Sequence, residues 1–352
     1  MSDKAYLVLE NGMSFEGTAF GAAGQASGEL VFTTEMMGYL EALTDPNYHG
    51  QIVLQTFPLV GNYGVISEDF LSDSGPAAYI VKHPCQDPSN FRSEGELDTF
   101  LRKRGIPGLY GVDTRAIAKI VRDSGTIYGM IAPAKNGGAP AFAATKSADL
   151  VADVSAKKVE KFKAEKSGGK TVAVLDFGLN TRHRDALVKR GFDVTVFPHD
   201  TAADAILAEK PAGILISDGP GNPEDNAKAV GTVKKLAQSK TPILGVGLGH
   251  QLLALSQGFR VEKLKCGHRG ASQGVKNLDD GKVYITRQNH GYVVVSNSIN
   301  KKLAEESFIN VNDKTCEGIE YKTIPAFSVQ FDPYVSGFVF DKFAQQIKGG
   351  SK

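Results

Sequence analysis

The sequence predicts a two-domain α/β protein, in which an N-terminal mixed, β-rich α/β domain precedes a doubly wound, mainly parallel sheet. Two observations lead to this prediction. Short β-rich runs separated by turn signals dominate residues 1–150, whereas strand and helix patterns alternate over residues 171–352. Strands that alternate with helices form parallel sheets covered by helices on both faces. The length of 352 residues also agrees with two domains.

The first domain contains strand, turn and helix signals. Residues 5–10 form a predicted strand, and Asn11-Gly12 marks a hairpin turn. Residues 113–125 begin with the capping residue Asp113, carry apolar residues at helical spacing and end in a glycine, which predicts a helix. Further β-rich runs cover residues 29–34, 51–57 and 77–83. This half has no recognisable catalytic motif.

A change of composition separates the two domains. Residues 151–170 are predicted to be a linker, because Lys is frequent and the segment ends in a flexible Ser-Gly-Gly stretch. After it, apolar strand patterns and helix patterns follow each other up to residue 258. The stretch from 259 to 331 has the pattern of shorter strands, and residues 340–348 form a last predicted helix. In such sheets, ligands bind beyond the carboxyl ends of the strands.

The charge balance argues against several classes of function. With 40 basic and 39 acidic residues the net charge is +1, so neither nucleic-acid binding nor membrane-surface binding is predicted. No run of about 18 apolar residues predicts a transmembrane helix, and the first residues lack a signal-peptide pattern. The three cysteines form no CxxC pair, and no His/Cys spacing indicates a metal site. We therefore expect a cytoplasmic protein without a bound metal.

Three loops lie where predicted strands end. In Ser217–Pro223, two glycines flank a proline, so backbone amides could approach a ligand closely; an ordinary Gly/Pro turn is the alternative. Gly245–Gln251 has the spacing of a nucleophile elbow, with Gly247 where a Ser or Cys normally stands. Such a helix start lowers a thiol pKa and donates amides to an oxyanion. The alternative there is a glycine-rich strand–helix turn. The third loop, Gln330–Tyr334, is unremarkable by itself.

Together, these loops resemble those of the class I glutamine amidotransferases, which read roughly GPGxP, GxCxGxQ and HPE. The stretch GELVFTTEMMGYLEALTDPNYHGQIVLQTFPLVGNYG resembles the small subunit of carbamoyl-phosphate synthetase in particular. So do the segments GVDTRAIAKIVRDSG, DFG, GHRG and NHGY. The resemblance is collinear over nearly the whole chain.

The resemblance implies a class I glutamine-amidotransferase-like second domain that hydrolyses glutamine through a cysteine thioester. Ammonia would then pass to a large synthetase subunit, the expected partner, in pyrimidine or arginine biosynthesis. ATP, bicarbonate and Mg²⁺ would be used only by that large subunit. No cofactor is therefore expected in this chain.

The chain departs from the family at the three positions of the catalytic triad. Gly247 stands at the nucleophile position and has no side chain that could form a thioester. Asp332 stands at the base position, and a carboxylate with an ordinary pKa of about 3.9 is a poor proton shuttle near neutral pH. Tyr334 replaces the orienting Glu. Because a triad acts as a unit, losing all three members predicts the loss of glutaminase activity. Further departures expected near this site are Glu35, Asn180, Arg182 and the segment Ser272–Gly274.

Other positions match, or lie at, the family's glutamine site. They are Asn47 (where the family carries Ser), Gly219, Gly221, Leu248, Gln251, Asn289, Gly291 and Tyr292. Two interpretations stay open: these residues bind glutamine or another small polar ligand, or they only maintain the turns at the edge of the sheet.

Four further side chains were considered for catalysis. Cys266 with His268 is the one pair that could replace the nucleophile, but a buried, unreactive thiol is the preferred interpretation. His250 and His290 match family positions outside the triad and are predicted to be structural.

Three hypotheses follow for the function. The leading one is an inactive glutaminase that serves as a structural, regulatory or ligand-binding subunit. The second is an active glutamine-hydrolysing small subunit with another nucleophile. The third is a stand-alone binder of a small molecule.

Overall fold

The structure is a computed structural model that describes residues 3–133, 142, 149–334 and 337–349. The chain forms two compact units, Met1–Leu150 and Val151–Lys352. In the described part of the chain, no helix is long and apolar enough to cross a bilayer.

The first unit is built around a closed barrel. Its main strands are β1 (Lys4–Leu9), β2 (Ser14–Gly21), β3 (Ala26–Thr33), β4 (Gln51–Gln55), β6 (Ala78–Val81), β8 (Pro107–Tyr110) and β9 (Tyr128–Ala132). They close in the order β1-β2-β8-β6-β4-β3-β9, while β5 (Leu59–Val60) and β7 (His83–Pro84) pair separately. The helices are α1 (Tyr39–Leu43), α2 (Leu97–Lys103) and α3 (Thr114–Ser124).

Local signals in the sequence explain several of these elements. Gly12 has a φ of 86°, and the hairpin turn that it helps form joins β1 to β2 in antiparallel pairing, as predicted. The Asp113 side chain caps α3 by accepting a hydrogen bond of 3.0 Å from the Ala116 amide. Alternate residues of β1, such as Leu7 and Leu9, are almost completely buried in the barrel core.

The second unit contains one mixed sheet flanked by helices. Its strands are β10 (Glu160–Phe162), β11 (Thr171–Asp176), β12 (Asp193–Pro198), β13 (Gly213–Ile216), β14 (Ile243–Val246), β15 (Val261–Asn277), β16 (Val283–Val294), β17 (Ala304–Asn310), β18 (Cys316–Tyr321) and β19 (Ala326–Val329). The helices are α4 (Leu150–Val154), α5 (Thr181–Lys189), α6 (Ala203–Ala208), α7 (Ala227–Gln238), α8 (Leu248–Ser256) and α9 (Phe338–Gly349).

The strand order is β10-β12-β11-β13-β14-β19-β18-β17-β15-β16. The five strands β12, β11, β13, β14 and β19 are parallel, which confirms the predicted doubly wound sheet, and the flanking strands pair antiparallel. Because β13, β14 and β19 are neighbours, the three loops that follow them meet at the carboxyl edge of the sheet.

Two apolar layers cover the two faces of this sheet. On β11, Ala173 and Leu175 pack with α6, α7 and α8, whereas Val172 and Val174 pack with α5 and α9. Each layer is continuous with the neighbouring strands, so the strands are apolar on both sides. This arrangement fixes the positions of the three loops relative to one another.

Some elements differ from the sequence prediction. The stretch after residue 259 does not consist only of short strands, because β15 spans 17 residues and β16 spans 12. Both contain polar residues throughout, and β15 shows register shifts against β16, so their sequences lack a regular alternation. The predicted linker 151–170 contains β10, which pairs with β12 at the edge of the sheet. The short barrel strands β8 and β9 were not predicted.

Candidate functional site

The centre of the candidate site is the turn between β14 and α8. Gly247 is the residue between strand and helix and has φ 52° and ψ −111°. Its amide donates a hydrogen bond of 2.9 Å to the Val329 carbonyl at the end of β19. Residues with side chains rarely adopt this backbone conformation, and the strand–turn–helix arrangement is that of a nucleophile elbow. The elbow is present, but glycine offers no reacting atom there.

Asp218 occupies the space beside the elbow. A Cβ atom at position 247 would lie 1.9 Å from Oδ1 of Asp218 and 2.1 Å from its Cγ. The same Oδ1 accepts hydrogen bonds of 2.8 Å from the amides of Gly219 and Leu248. One of these amides follows the elbow and the other comes from the neighbouring loop, which is the arrangement of an oxyanion hole. Sequence reasoning gave Asp218 no role, although an acidic residue directly before the Gly-Pro-Gly turn was a usable signal.

Asp332 is held in a set of polar contacts beyond the end of β19. Its Oδ1 lies 2.9 Å from Nε2 of His183 and accepts a hydrogen bond of 2.9 Å from the Tyr334 amide. Its Oδ2 lies 4.0 Å from Nη1 of Arg287. Burial by itself raises the pKa of Asp332, but His183, Arg287 and the Tyr334 amide outweigh it and lower this pKa to about 2. The carboxylate therefore stays ionised at neutral pH.

The partners of Asp332 include a histidine that sequence reasoning missed. His183 lies on α5, and its side chain is only 2% exposed. Its position on a helix with many charged residues gave no sign that it points inward. Tyr334 is 38% exposed, and the guanidinium carbon of Arg182, also on α5, lies 5.5 Å from the centre of its ring. The helix α5 thus supplies contacts to both Asp332 and Tyr334.

Comparisons with known proteins identify the family of this chain. Residues 7–131 match the family described as "Carbamoyl-phosphate synthase small chain, CPSase domain", and residues 173–343 match "Glutamine amidotransferase class-I". The carbamoyl phosphate synthase small chain of Clostridium perfringens is 44% identical over 97% of this chain and 98% of its own length. The chain belongs to the carbamoyl phosphate synthase small-chain family. The pyrimidine-specific small chain of Bacillus subtilis is 42% identical over 99% of this chain and 97% of its own length.

Several positions implied by the small-chain resemblance form internal contacts. Gln251 is buried, and its Nε2 donates hydrogen bonds of 2.9 Å to the Tyr292 carbonyl and to Oε1 of Gln330. Asn289 lies opposite Arg269 in the pairing of β15 with β16. A side chain at Gly291 would approach Nη2 of Arg269 to 3.3 Å. These contacts join α8, β15, β16 and the loop after β19.

The remaining positions lie in different parts of the molecule. Gly221 lies in the same loop as Gly219 and has a φ of 92°, which favours glycine. Leu248 is buried at the start of α8. Asn47 belongs to the first unit, where its amide donates a hydrogen bond of 2.9 Å to Oδ1 of Asp45. The structure therefore links Gly219 with Leu248 through Asp218 and Gln251 with Tyr292, and describes Asn47 separately in the first unit.

A cluster of histidines and carboxylates lies near this site, on β15, β16 and β18 and the turn before β18. We call His268, His290, Asp313 and Glu317 the histidine–carboxylate cluster. His268 places Nδ1 3.3 Å from Oε1 of Glu317 and Nε2 2.8 Å from Oδ2 of Asp313. Nε2 of His290 lies 3.8 Å from Oε1 of Glu317. The sequence gave no hint of this cluster because its members are far apart along the chain.

Burial and ion pairing set the protonation of the cluster. Burial lowers the pKa of His268, but Glu317 and Asp313 outweigh it and raise this pKa overall. Burial raises the pKa of Glu317, and it holds the pKa of His290 well below its usual range. When His268 is protonated, it donates to both carboxylates. Burial keeps His290 neutral, with Nδ1 3.0 Å from the Tyr292 carbonyl and Nε2 3.2 Å from Oε1 of Gln288.

Among the described residues, His268, His290 and Glu317 also form a possible metal-binding group. Their ligand atoms all lie within 4.8 Å of one another. Two imidazoles and one carboxylate are suitable ligands for several transition metals. A proton on His268 accounts for its contacts with Glu317 and Asp313, whereas Nε2 of His290 lies 3.2 Å from Oε1 of Gln288.

The other candidate side chains have structural contacts. Cys266 is half-buried rather than buried as predicted, and its Sγ lies 3.9 Å from the Gly267 carbonyl. His268 directs both ring nitrogens towards carboxylates, so it does not activate Cys266 in this arrangement. Nδ1 of His250 lies 2.8 Å from the Ser328 hydroxyl, and burial lowers the pKa of His250 to about 3. His250 is therefore a neutral, buried residue that links α8 to β19.

Proposed function

We propose that this chain is a small-chain homologue that does not hydrolyse glutamine and acts as a structural, regulatory or ligand-binding subunit of a carbamoyl phosphate synthase-like complex. The observation that carries the proposal is the elbow, where Gly247 provides no nucleophile and the Asp218 carboxylate fills the adjoining space. A thioester requires a thiolate at a position that faces the oxyanion amides. At this elbow Gly247 supplies no thiolate, and the two amides donate to Asp218 instead.

The residue at the base position also supports the proposal. A general base must accept a proton near the working pH, and its efficiency falls when its pKa is far below that pH. Asp332, with a pKa lowered to about 2, instead lies 2.9 Å from Nε2 of His183 and 4.0 Å from Nη1 of Arg287. Its contacts serve to fix the loop after β19 against α5.

The expected partner is a large synthase chain or a homologue of it. Relatives that match almost the whole chain are named small chains, and the small-chain family match covers residues 7–131 of the first unit. This unit exposes neighbouring methionines, Met36 and Met37, whose exposed fractions are 71% and 73%. Exposed apolar side chains of this kind suit a contact with another protein. ATP, bicarbonate and Mg²⁺ would be bound by the large chain only, in pyrimidine or arginine biosynthesis in the cytoplasm.

The former glutamine pocket could still bind glutamine or another small polar ligand, through residues such as Asn289 and Tyr292. The internal contacts of Gln251 favour the alternative that these positions maintain the edge of the sheet. Calorimetric titration of the purified chain with glutamine distinguishes the two. Heat of binding that is lost in an Asn289→Ala variant supports a ligand pocket, and its absence supports the structural role.

The proposal is tested by reconstitution with the large chain encoded by the same organism. We expect the two chains to co-elute in size-exclusion chromatography. The complex should form carbamoyl phosphate from ammonium, ATP and bicarbonate, but should release no glutamate from glutamine. A relative with a cysteine at the elbow, such as a small chain known to release glutamate, serves as the positive control.

Family membership favours the second hypothesis, an active glutaminase, because its relatives carry the small-chain name. Glutamate release by the unmodified chain would support that function and contradict our proposal. Loss of this release in a Cys266→Ser variant would then identify Cys266 as the nucleophile. Failure to associate with any large chain would instead favour a stand-alone binder.

A further inference from the structure

The Asp218 carboxylate occupies the space that a side chain at Gly247 would need. The Cβ position of residue 247 lies within 2.4 Å of all three atoms of the Asp218 carboxylate. Real Cβ atoms do not approach other heavy atoms this closely, so any side chain at position 247 must displace the carboxylate. A side chain at position 247 therefore requires the Asp218 carboxylate to move, and the φ of 52° favours glycine independently of that contact.

Two backbone amides hold the Asp218 carboxylate in this position. Its Oδ1 accepts hydrogen bonds from the Gly219 and Leu248 amides, both of 2.8 Å. The Leu248 amide is the first of α8, where the helix dipole favours negative charge. Hydrogen bonds from amides to an ionised acceptor are stronger than those to a neutral acceptor. Displacing Asp218 would thus remove the charged partner of both amides.

We infer that Asp218 closes the elbow pocket as an internal carboxylate, and thereby determines what the pocket can accept. It holds the two amides that would otherwise receive the carbonyl or carboxylate oxygen of a bound molecule. It also has to be displaced before a nucleophilic side chain at position 247 can be accommodated. The inference rests on the proposed function, because both concern the elbow at Gly247. It makes separate predictions about the stability of the protein and about the access of small molecules to position 247.

A double-mutant cycle on the full chain tests this pairing. The free energy of unfolding in urea is measured for the unmodified chain, Gly247→Ala, Asp218→Ala and the double variant. We expect the loss caused by Gly247→Ala to be smaller when Asp218 is also Ala, because the alanine methyl then has room. The coupling should be roughly 2- to 100-fold in the unfolding equilibrium constant, the range for residues in contact.

Two matched controls distinguish the effect of the volume of the Asp218 side chain from the effect of its charge and from backbone strain at the glycine. Asp218→Asn keeps the shape of the side chain and removes its charge, so it should not relieve Gly247→Ala. Gly258 follows the other end of α8 with a φ of 83°, and no atom lies within 4 Å of its Cβ position. Gly258→Ala should therefore lose stability independently of position 218. Additive effects of Gly247→Ala and Asp218→Ala, or full relief by Asp218→Asn, would overturn the inference.

Access to the pocket is measured with a thiol placed at the elbow. In Gly247→Cys, reaction of position 247 with iodoacetamide is followed by peptide mass spectrometry, which separates it from the three native cysteines. We expect faster labelling when Asp218→Ala is added, because the carboxylate no longer opposes the thiolate. Equal rates in the single and double variants would contradict the inference. Neither urea unfolding nor thiol labelling involves glutamine. Glutamate release would therefore overturn the proposed function without testing the inference about Asp218.

Discussion

The elbow pocket and the histidine–carboxylate cluster each hold a carboxylate within the same unit, but different groups stabilise it. At the elbow, Asp218 is bound by two backbone amides that cannot change their charge. In the cluster, Glu317 is completely buried and faces the imidazole of His268. An imidazole, unlike an amide, can gain or lose a proton and so change its charge. The comparison indicates that the two amides that bind Asp218 do not titrate, whereas the cluster should respond to pH near neutrality through His268.

The largest expected effect comes from breaking the cluster. Glu317→Ala removes the buried partner of His268, so that Asp313 is the remaining carboxylate in contact with its ring. We expect a loss of about 3–5 kcal/mol in the free energy of unfolding, as for other broken buried ion pairs. Urea unfolding at neutral pH measures it, with Glu317→Gln as the control that keeps the shape and a hydrogen-bonding oxygen. A loss below about 1 kcal/mol for Glu317→Ala would show that the cluster is not an ion pair.

A smaller effect is expected beside the elbow, at Asp332. Its pKa is lowered from 3.8 to about 2, so it contributes stability that is present above its unfolded pKa and is lost as the pH falls through about 2. Asp332→Asn should therefore lose about 2 kcal/mol at neutral pH. The loss should shrink as the pH falls from about 4 to about 2. Acid unfolding curves of the two proteins that stay parallel over this range would refute the ion pairing of Asp332.

The pH dependence of the cluster distinguishes it further from the elbow. The pKa of His268 is raised, so its contribution is fully present below the ordinary histidine pKa of about 6.5 and is lost as the pH rises through the folded value. The raised pKa of Glu317 acts in the same direction, and Asp313 has an effect only in acid. His268→Asn should therefore lose more stability at about pH 6 than at about pH 9. The exposed His83 provides the control variant His83→Asn, and a pH-independent loss at His268 would count against a protonated His268.

The smallest effect on stability is expected in the first unit. The double substitution Met36→Ser and Met37→Ser should change the free energy of unfolding by less than about 0.5 kcal/mol, because both side chains are exposed. The same substitution should weaken binding to the large chain, measured by biolayer interferometry. Met13→Ser, at a residue that is 49% exposed in the hairpin turn, is the control. Unchanged binding in the double variant would exclude this surface from the interface.

Sequence patterns predicted the parts of the molecule that repeat regular rules. The hairpin at Asn11-Gly12, the capped helix after Asp113 and the alternating strands and helices of the second unit all follow from local signals. The polar strands β15 and β16 could not be predicted in length, because their pairing partners lie far away in sequence and their register is interrupted.

At the site, the sequence predicted the backbone better than the contacts. The glycine spacing predicted the elbow, and the residue types at positions 247, 332 and 334 showed the departures from the family pattern. The direction in which Asp218 and His183 point depends on packing between loops and helices that no local pattern encodes. The histidine–carboxylate cluster was missed for the same reason, since three strands and a turn contribute its members.

The central claim is that this small-chain homologue does not hydrolyse glutamine. The most direct measurement is glutamate release from glutamine by the complex of the unmodified chain with its large chain, beside the same complex carrying Gly247→Cys. We predict no release from either complex, because the unmodified chain has no nucleophile at the elbow and because Asp332, whose pKa is lowered to about 2, is a poor base at neutral pH in both complexes. Release by the unmodified complex would contradict this account and would require a nucleophile outside the elbow.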